Sequence, residues 1–164
     1  GRDAPGILSR EKAIMKIKRL ILISTLLFIQ NNLASNTMIE HFSTEQTVEQ
    51  NFPFSDAVRV GDTLYLSGMI GEDDNGNLVK GGIVSEAHNV MKRMDNILNH
   101  FDLTFDDVFK CLVMIDDINE WSLFNSVYIQ YFKKPYPARS AFGADGLAGG
   151  ASFELECIAI IQDN

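Results

Sequence analysis

What the sequence has little of narrows it first. It carries 3 histidines, His41, His88 and His100, and none stands at a spacing that shared metal ligands need. His88 and His100 fall on one helical stretch, too far apart to hold one ion, so solvated positions account for them. No Walker loop is present, and the glycines from Gly146 to Gly150 do not follow the dinucleotide pattern after a strand. No histidine accompanies a serine in a nucleophile elbow, which leaves Ser-His-Asp hydrolysis without support. Asp73-Asp-Asn-Gly-Asn77 resembles a piece of a calcium loop but lacks the terminal glutamate, and reads as a turn. The residues therefore call for no metal and no cofactor.

Positive charge is also short. The chain has 14 Lys and Arg against 22 Asp and Glu, a net charge of −8. Such a surface repels phosphate backbones and anionic lipid, so nucleic acid is not an expected partner. Cysteine is scarce: Cys111 and Cys157 each sit in an apolar, strand-like run, where a thiol behaves as a small buried hydrophobe. The expectation is two free, buried thiols, able to pair only if the protein is exported.

No apolar run is long enough to cross a bilayer. Leu20 to Ile29 spans about ten residues, half of what a membrane helix needs. It follows the basic Met15-Lys-Ile-Lys-Arg19 and precedes Asn31-Asn-Leu-Ala-Ser35. Basic, apolar, then small-polar is the layout of a secretory signal peptide, although Asn32 fits poorly before a cut after Ala34. The competing reading is an interfacial helix. Residues 1–14 are then an upstream or vector-derived segment, 15–36 a signal peptide, and 37–164 the domain. The protein is expected to be periplasmic or secreted if the signal is used and cytoplasmic otherwise, with no membrane attachment after its removal.

What remains is ample for one core: 164 residues, 46% of them hydrophobic. Ala57-Val-Arg-Val60 and Thr63 to Ile70 flank a Gly-Asp turn and read as a hairpin. Val84, Ala87, Val90, Met91, Met94, Ile97, Leu98 and Phe101 recur at threes and fours, one stripe of an amphipathic helix. Phe105 to Ile115 reads as a strand. Asp117 with Glu120 resembles a capping box and opens a second helix. Pro135 and Pro137 stop it, Arg139 to Phe142 begins a strand, and Ser152 to Ile161 forms the last. The order is β-β-α-β-α-β-β with hairpin partners at either end. It predicts an α+β fold, one mixed sheet with two helices packed on one face. The uncovered face then asks for another subunit.

Within Pro135-Tyr-Pro-Ala-Arg-Ser-Ala-Phe142 stands one arginine that the flanking residues half-bury. A guanidinium does not shed its charge, so it needs an anionic partner. Alternation puts Glu154 and Glu156 on one face of the last strand. If that strand lies beside the one carrying Arg139, two readings stay open. One is a structural ion pair. The other is an arginine that clamps a small carboxylate beside a glutamate that positions water.

Several ordered blocks together resemble the RidA (YjgF) family of reactive intermediate deaminases. They are Leu64-Tyr-Leu-Ser-Gly-Met-Ile-Gly71, Leu78-Val-Lys-Gly-Gly-Ile83, Phe124-Asn-Ser-Val-Tyr128 with Tyr131-Phe132, and Pro137-Ala-Arg-Ser140 coupled to Phe153-Glu-Leu-Glu-Cys-Ile-Ala159. The resemblance covers about Pro53 to the C-terminus. It implies a chorismate-mutase-like fold, a homotrimer, and hydrolysis of enamine or imine intermediates to 2-keto acids and ammonia in clefts between subunits. By the same resemblance Arg139 is the substrate-carboxylate arginine and Glu154 holds the attacking water. Asn125 lines the cleft, and Ser67 and Gly68 supply backbone contacts. Three positions depart from the family pattern: Phe54 replaces a tyrosine, Ala141 a cysteine, and Met69 the glutamine of Ser-Gly-Gln. The clamp is kept in a more apolar pocket. The alternative is a module that binds a small carboxylate or keto acid in the same cleft without turnover.

Overall fold

The computed structural model describes residues 15–19 and 38–162. Residues 15–19 are helical and exposed, and the rest of the expected signal peptide and upstream segment lies outside the described residues. The folded domain falls within the unit Thr37–Asn164.

Strand β1 (Ile39–Phe42) and the short helix α1 (Glu45–Glu49) come first and have no counterpart in the sequence reading. Thr44 caps α1 by accepting from the Thr47 amide, and the buried Asp56 accepts from both the Thr44 amide (2.8 Å) and its hydroxyl (3.1 Å). The hairpin β2 (Ala57–Val60) and β3 (Thr63–Leu66) follows, and then the 19-residue helix α2 (Gly82–His100). Helix α2 buries Ala87, Val90, Met91, Met94, Ile97 and Leu98, the face that the periodicity outlined. Strand β4 (Val108–Ile115) begins three residues later than its apolar run, because Thr104 caps a 3-10 turn over Phe105–Asp107. Asp117 caps a second 3-10 turn, Ile118–Glu120, through the Asn119 amide, and helix α3 (Trp121–Tyr131) leads on from it. Strands β5 (Ala138–Gly143) and β6 (Phe153–Ile160) complete the chain.

The sheet has 6 strands in the order β1-β2-β3-β6-β4-β5. Both α2 and α3 pack on one face, as expected, and the core forms between them and the sheet. The expected terminal hairpin is corrected. β5 is parallel to β4, not paired with β6, and β4 separates the two. A strand, a helix and a strand in succession make a crossover, and a crossover returns its second strand parallel to the first. β6 then inserts between β3 and β4, antiparallel to both.

The expectation of free thiols is also corrected: Cys111 and Cys157 face each other across β4 and β6 and form a disulfide. Both cysteines are fully buried on the helix-covered side. The opposite side of the sheet carries Tyr65, Phe142 and Ile160 exposed, with Glu154 and Glu156 among them.

The disulfide closes a sequence separation of 46 residues, which by loop entropy stabilises the fold by about 4 kcal/mol. Reduced protein, or the Cys111→Ser/Cys157→Ser double variant, should unfold at a clearly lower urea midpoint than the oxidised form. Denatured, unreduced protein should give no titratable thiol.

Candidate active site

Strand alternation decides where Arg139 points. It is in register with Cys111, and Cys111 with Cys157, so all three side chains face the helices. There Arg139 meets helix α3, on which Trp121, Asn125 and Tyr128 recur at helical spacing along one stripe. The guanidinium carbon lies 4.4 Å from the Tyr128 ring centroid, 5.0 Å from that of Trp121 and 5.7 Å from that of Phe124. Each such contact is worth about 0.5–2 kcal/mol, more where water is excluded. Arg139 Nη2 donates to Asn125 Oδ1 at 2.7 Å, while Nη1 is buried with no hydrogen-bond partner.

Among the described residues no carboxylate lies within salt-bridge distance of Arg139; the one ion pair there joins Arg93 to Glu72. Within one copy, a structural ion pair with Glu154 or Glu156 is thereby ruled out as the answer to the charge of Arg139. Aromatic faces and one amide hold the cation, and a cavity of about 430 Å³ opens beside it. Asn125, Tyr128, Ile129, Tyr136, Pro137 and Arg139 line that cavity. Ala141, two residues beyond Arg139 on β5, packs against the core on the same face without lining it.

The remaining sequence-predicted residues lie elsewhere. Glu154 is in register with Met114, one step out of phase with the disulfide, so it faces away from the helices. The strands of Arg139 and Glu154 are not neighbours within a chain. β4 lies between their strands, and their side chains occupy opposite faces of the sheet. Glu154 covers Gly68, where an added Cβ would collide with its carboxylate. The β3 pairing loosens at this point. Between the Tyr65↔Ile158 and Met69↔Leu155 pairs, β3's extension has one residue more than β6, a bulge that includes Ser67 and Gly68. Ser67 Oγ donates to the Ser55 carbonyl at 2.6 Å and its amide to the Asp56 carbonyl at 2.9 Å. Phe54, 48% exposed, stacks on Phe52 at 5.2 Å between centroids. Behind the strand, the buried Glu86 accepts from the Ser152 amide (2.8 Å) and hydroxyl (2.7 Å), fixing where β6 begins.

Burial raises the pKa of Glu154 above the ordinary carboxylate range, and the Glu156 charge beside it adds to the effect. Sequence reasoning placed Tyr128 only on an apolar helix face and gave Trp121, Ile129 and Tyr136 no site role. The signal that could have found them is the stripe at 121, 125 and 128, facing the single arginine after two prolines.

A raised pKa means that the folded state holds the Glu154 proton more tightly than the unfolded chain. Stability is then lost as pH rises from the ordinary carboxylate range through the folded pKa, and the cost is absent below it. Glu154→Gln should therefore raise Tm at pH 7, with the gain shrinking as pH falls toward 3.5, measured by thermal denaturation of both proteins. An equal difference at both pH values would contradict this.

The sequence pattern of the family described as Endoribonuclease L-PSP matches residues 44–161. The chain is 42% identical over 109 residues to the human 2-iminobutanoate/2-iminopropanoate deaminase, covering 66% of this chain and 80% of that protein. Among solved structures, RidA from an Antarctic Psychrobacter is 32% identical, covers 66% of this chain and 89% of its own, and superposes with a TM-score of 0.64. A Rid-family protein of unknown function from Yersinia pestis, YyfA, is also 32% identical, covers 76% of this chain and all of its own, with a TM-score of 0.70. With the family pattern spanning most of the domain, the chain belongs to the RidA (YjgF) family.

Proposed function

We propose that the protein hydrolyses 2-imino acids, and the enamines that tautomerise to them, to 2-keto acids and ammonia at clefts between copies of the chain. The observation that carries this reading is Arg139: a half-buried guanidinium with an unused donor, no carboxylate of its own, and a cavity beside it. The name of the human relative at 42% identity supports the same substrate class.

Arg139 grips the carboxylate of the imino acid, and Asn125 fixes the direction of its fork. Water adds to the C=N carbon while the imine nitrogen takes a proton, giving a carbinolamine. That intermediate loses ammonia as its hydroxyl loses a proton, leaving the keto acid. An enamine first takes a proton on its terminal carbon. Glu154 is suited to hold the water and to move these protons: within one copy burial and the Glu156 charge raise its pKa, and the Arg139 cation of a second copy would oppose that shift. Proximity and one acid-base group are enough for this chemistry.

Arg139 and Glu154 lie on opposite faces of one sheet, so a single copy does not bring them together. A second copy that seats its uncovered face near the Arg139 edge would supply Glu154, Gly68, Ser67 and Phe54 to the cleft. The apolar exposed positions Tyr65, Phe142 and Ile160 on that face support such a contact, and the family resemblance suggests three copies. The net charge of −8 favours a small-molecule substrate over the RNA that the family description names. The Cys111–Cys157 disulfide favours an oxidising compartment, in keeping with export by the basic and apolar N-terminal segment. No helix among the described residues is long and apolar enough to cross a membrane.

The test couples purified protein to an amino-acid oxidase acting on 2-aminobutyrate and follows decay of the imine. Wild type should accelerate the decay, and folded Arg139→Ala should lose at least about 100-fold in kcat/KM, as expected when two charge-assisted hydrogen bonds are removed. Wild-type turnover by the folded variant would refute the assignment. No acceleration by wild type, with 2-oxobutanoate still bound, would leave the ligand-binding reading in its place. Sedimentation equilibrium should give three copies, and a fully active monomer would contradict the shared cleft.

A further inference from the structure

Tyr128 carries a feature that packing does not explain. Its side chain is 3% exposed, yet its hydroxyl has no hydrogen-bond partner. The ring itself is well used. Phe132 stacks on it at 4.3 Å between centroids, Phe124 packs at 5.7 Å, and the Arg139 guanidinium lies over its face at 4.4 Å. A phenylalanine would make all of these contacts and leave no polar atom stranded. A buried polar atom without a partner is costly and calls for an occupant that satisfies it.

The surroundings indicate what that occupant is. Tyr128 and Arg139 both line this cavity, so the two residues that carry the unpaired phenol and Nη1 belong to one site. Burial pushes the phenol pKa up to about 12; the nearby Tyr136 adds to the shift and Arg139 opposes it. The group therefore stays protonated at neutral pH and can donate. Two donors, one of them a fixed cation, in a cavity with no acidic side chain in its lining suit a ligand oxygen that carries negative charge. A carboxylate has lone pairs enough to accept from both.

We propose that Tyr128 is a further substrate-binding residue, whose hydroxyl donates to the same carboxylate that Arg139 grips. This rests on the reading of the site given above, which names 2-imino acids as substrates. Tyr128 then does two things. Its ring face holds the guanidinium in place, and its hydroxyl selects a ligand with a carboxylate over the matching ester or amide.

The experiment separates these two contributions. Binding of 2-oxobutanoate is measured by calorimetry on the full chain for wild type, Tyr128→Phe, Tyr128→Leu and Arg139→Ala, beside imine turnover and Tm for each. Tyr128→Phe keeps the ring and should fold with an unchanged or higher Tm. It should bind 2-oxobutanoate about tenfold more weakly, with the kinetic loss falling on KM more than on kcat. Tyr128→Leu should lose more, since the guanidinium then loses its platform as well. If Tyr128→Phe binds as wild type does while Arg139→Ala fails to bind, this inference falls and the deaminase reading stands. If wild type binds 2-oxobutanoate in a Tyr128-dependent way but turns over no imine, the inference holds and the deaminase reading falls. If wild type does not bind 2-oxobutanoate, this inference falls, and if it also turns over no imine the deaminase reading falls with it.

Discussion

A cation held without a counter-charge is the feature on which the site depends. Arg139 sits over Tyr128 and beside Trp121 and Phe124, with one hydrogen bond to Asn125 and Nη1 left unpaired. Each holding group is neutral, so the positive charge is positioned but not cancelled. An arginine paired to an internal glutamate would be as well ordered and chemically spent. Ring faces also exclude water, which strengthens whatever attraction the guanidinium offers an incoming anion.

The sheet explains why such an arrangement is incomplete in one copy. Alternation along β4, β5 and β6 sends Arg139 and the disulfide toward the helices, and Glu154 toward the open face. The bulge at Ser67–Gly68 and the absence of a side chain at Gly68 clear the space that the Glu154 carboxylate occupies. Two chemically matched halves thus stand on the two faces of a single layer. In the proposed assembly a second copy would join them. That assembly would also cover the apolar open face, whose exposure to water is unfavourable.

Much of this was legible in the residues, and the parts that were not have physical reasons. The stripe from Ala87 to Leu98 outlined α2 because its buried face repeats at helical spacing. The hairpin around Gly61-Asp62 was marked by turn chemistry. Strand order was not legible: a loop through Gly146 to Gly150 can join neighbouring strands or strands with another between them, and only the β4-α3-β5 crossover discriminates. Strand β1 went unseen because its four residues are mostly exposed and show no clear alternation. Cys111 and Cys157 were seen as strand residues, but their pairing follows from register, which alternation alone does not set. For the site, Arg139 stood out through the prolines and apolar residues around its charge, and Asn125 through short blocks that resemble a family. The aromatic stack that frees Arg139 from an internal partner looked, in sequence, like one more apolar helix face.

The central claim, that Arg139 waits for a carboxylate from outside the fold, has a direct test. Phenylglyoxal labelling of the native protein is followed at the Arg139 peptide by mass spectrometry, alone, with 2-oxobutanoate, and with the neutral ketone butan-2-one. 2-Oxobutanoate should slow labelling of Arg139, and butan-2-one should not. Labelling at the same rate under all three conditions would contradict it.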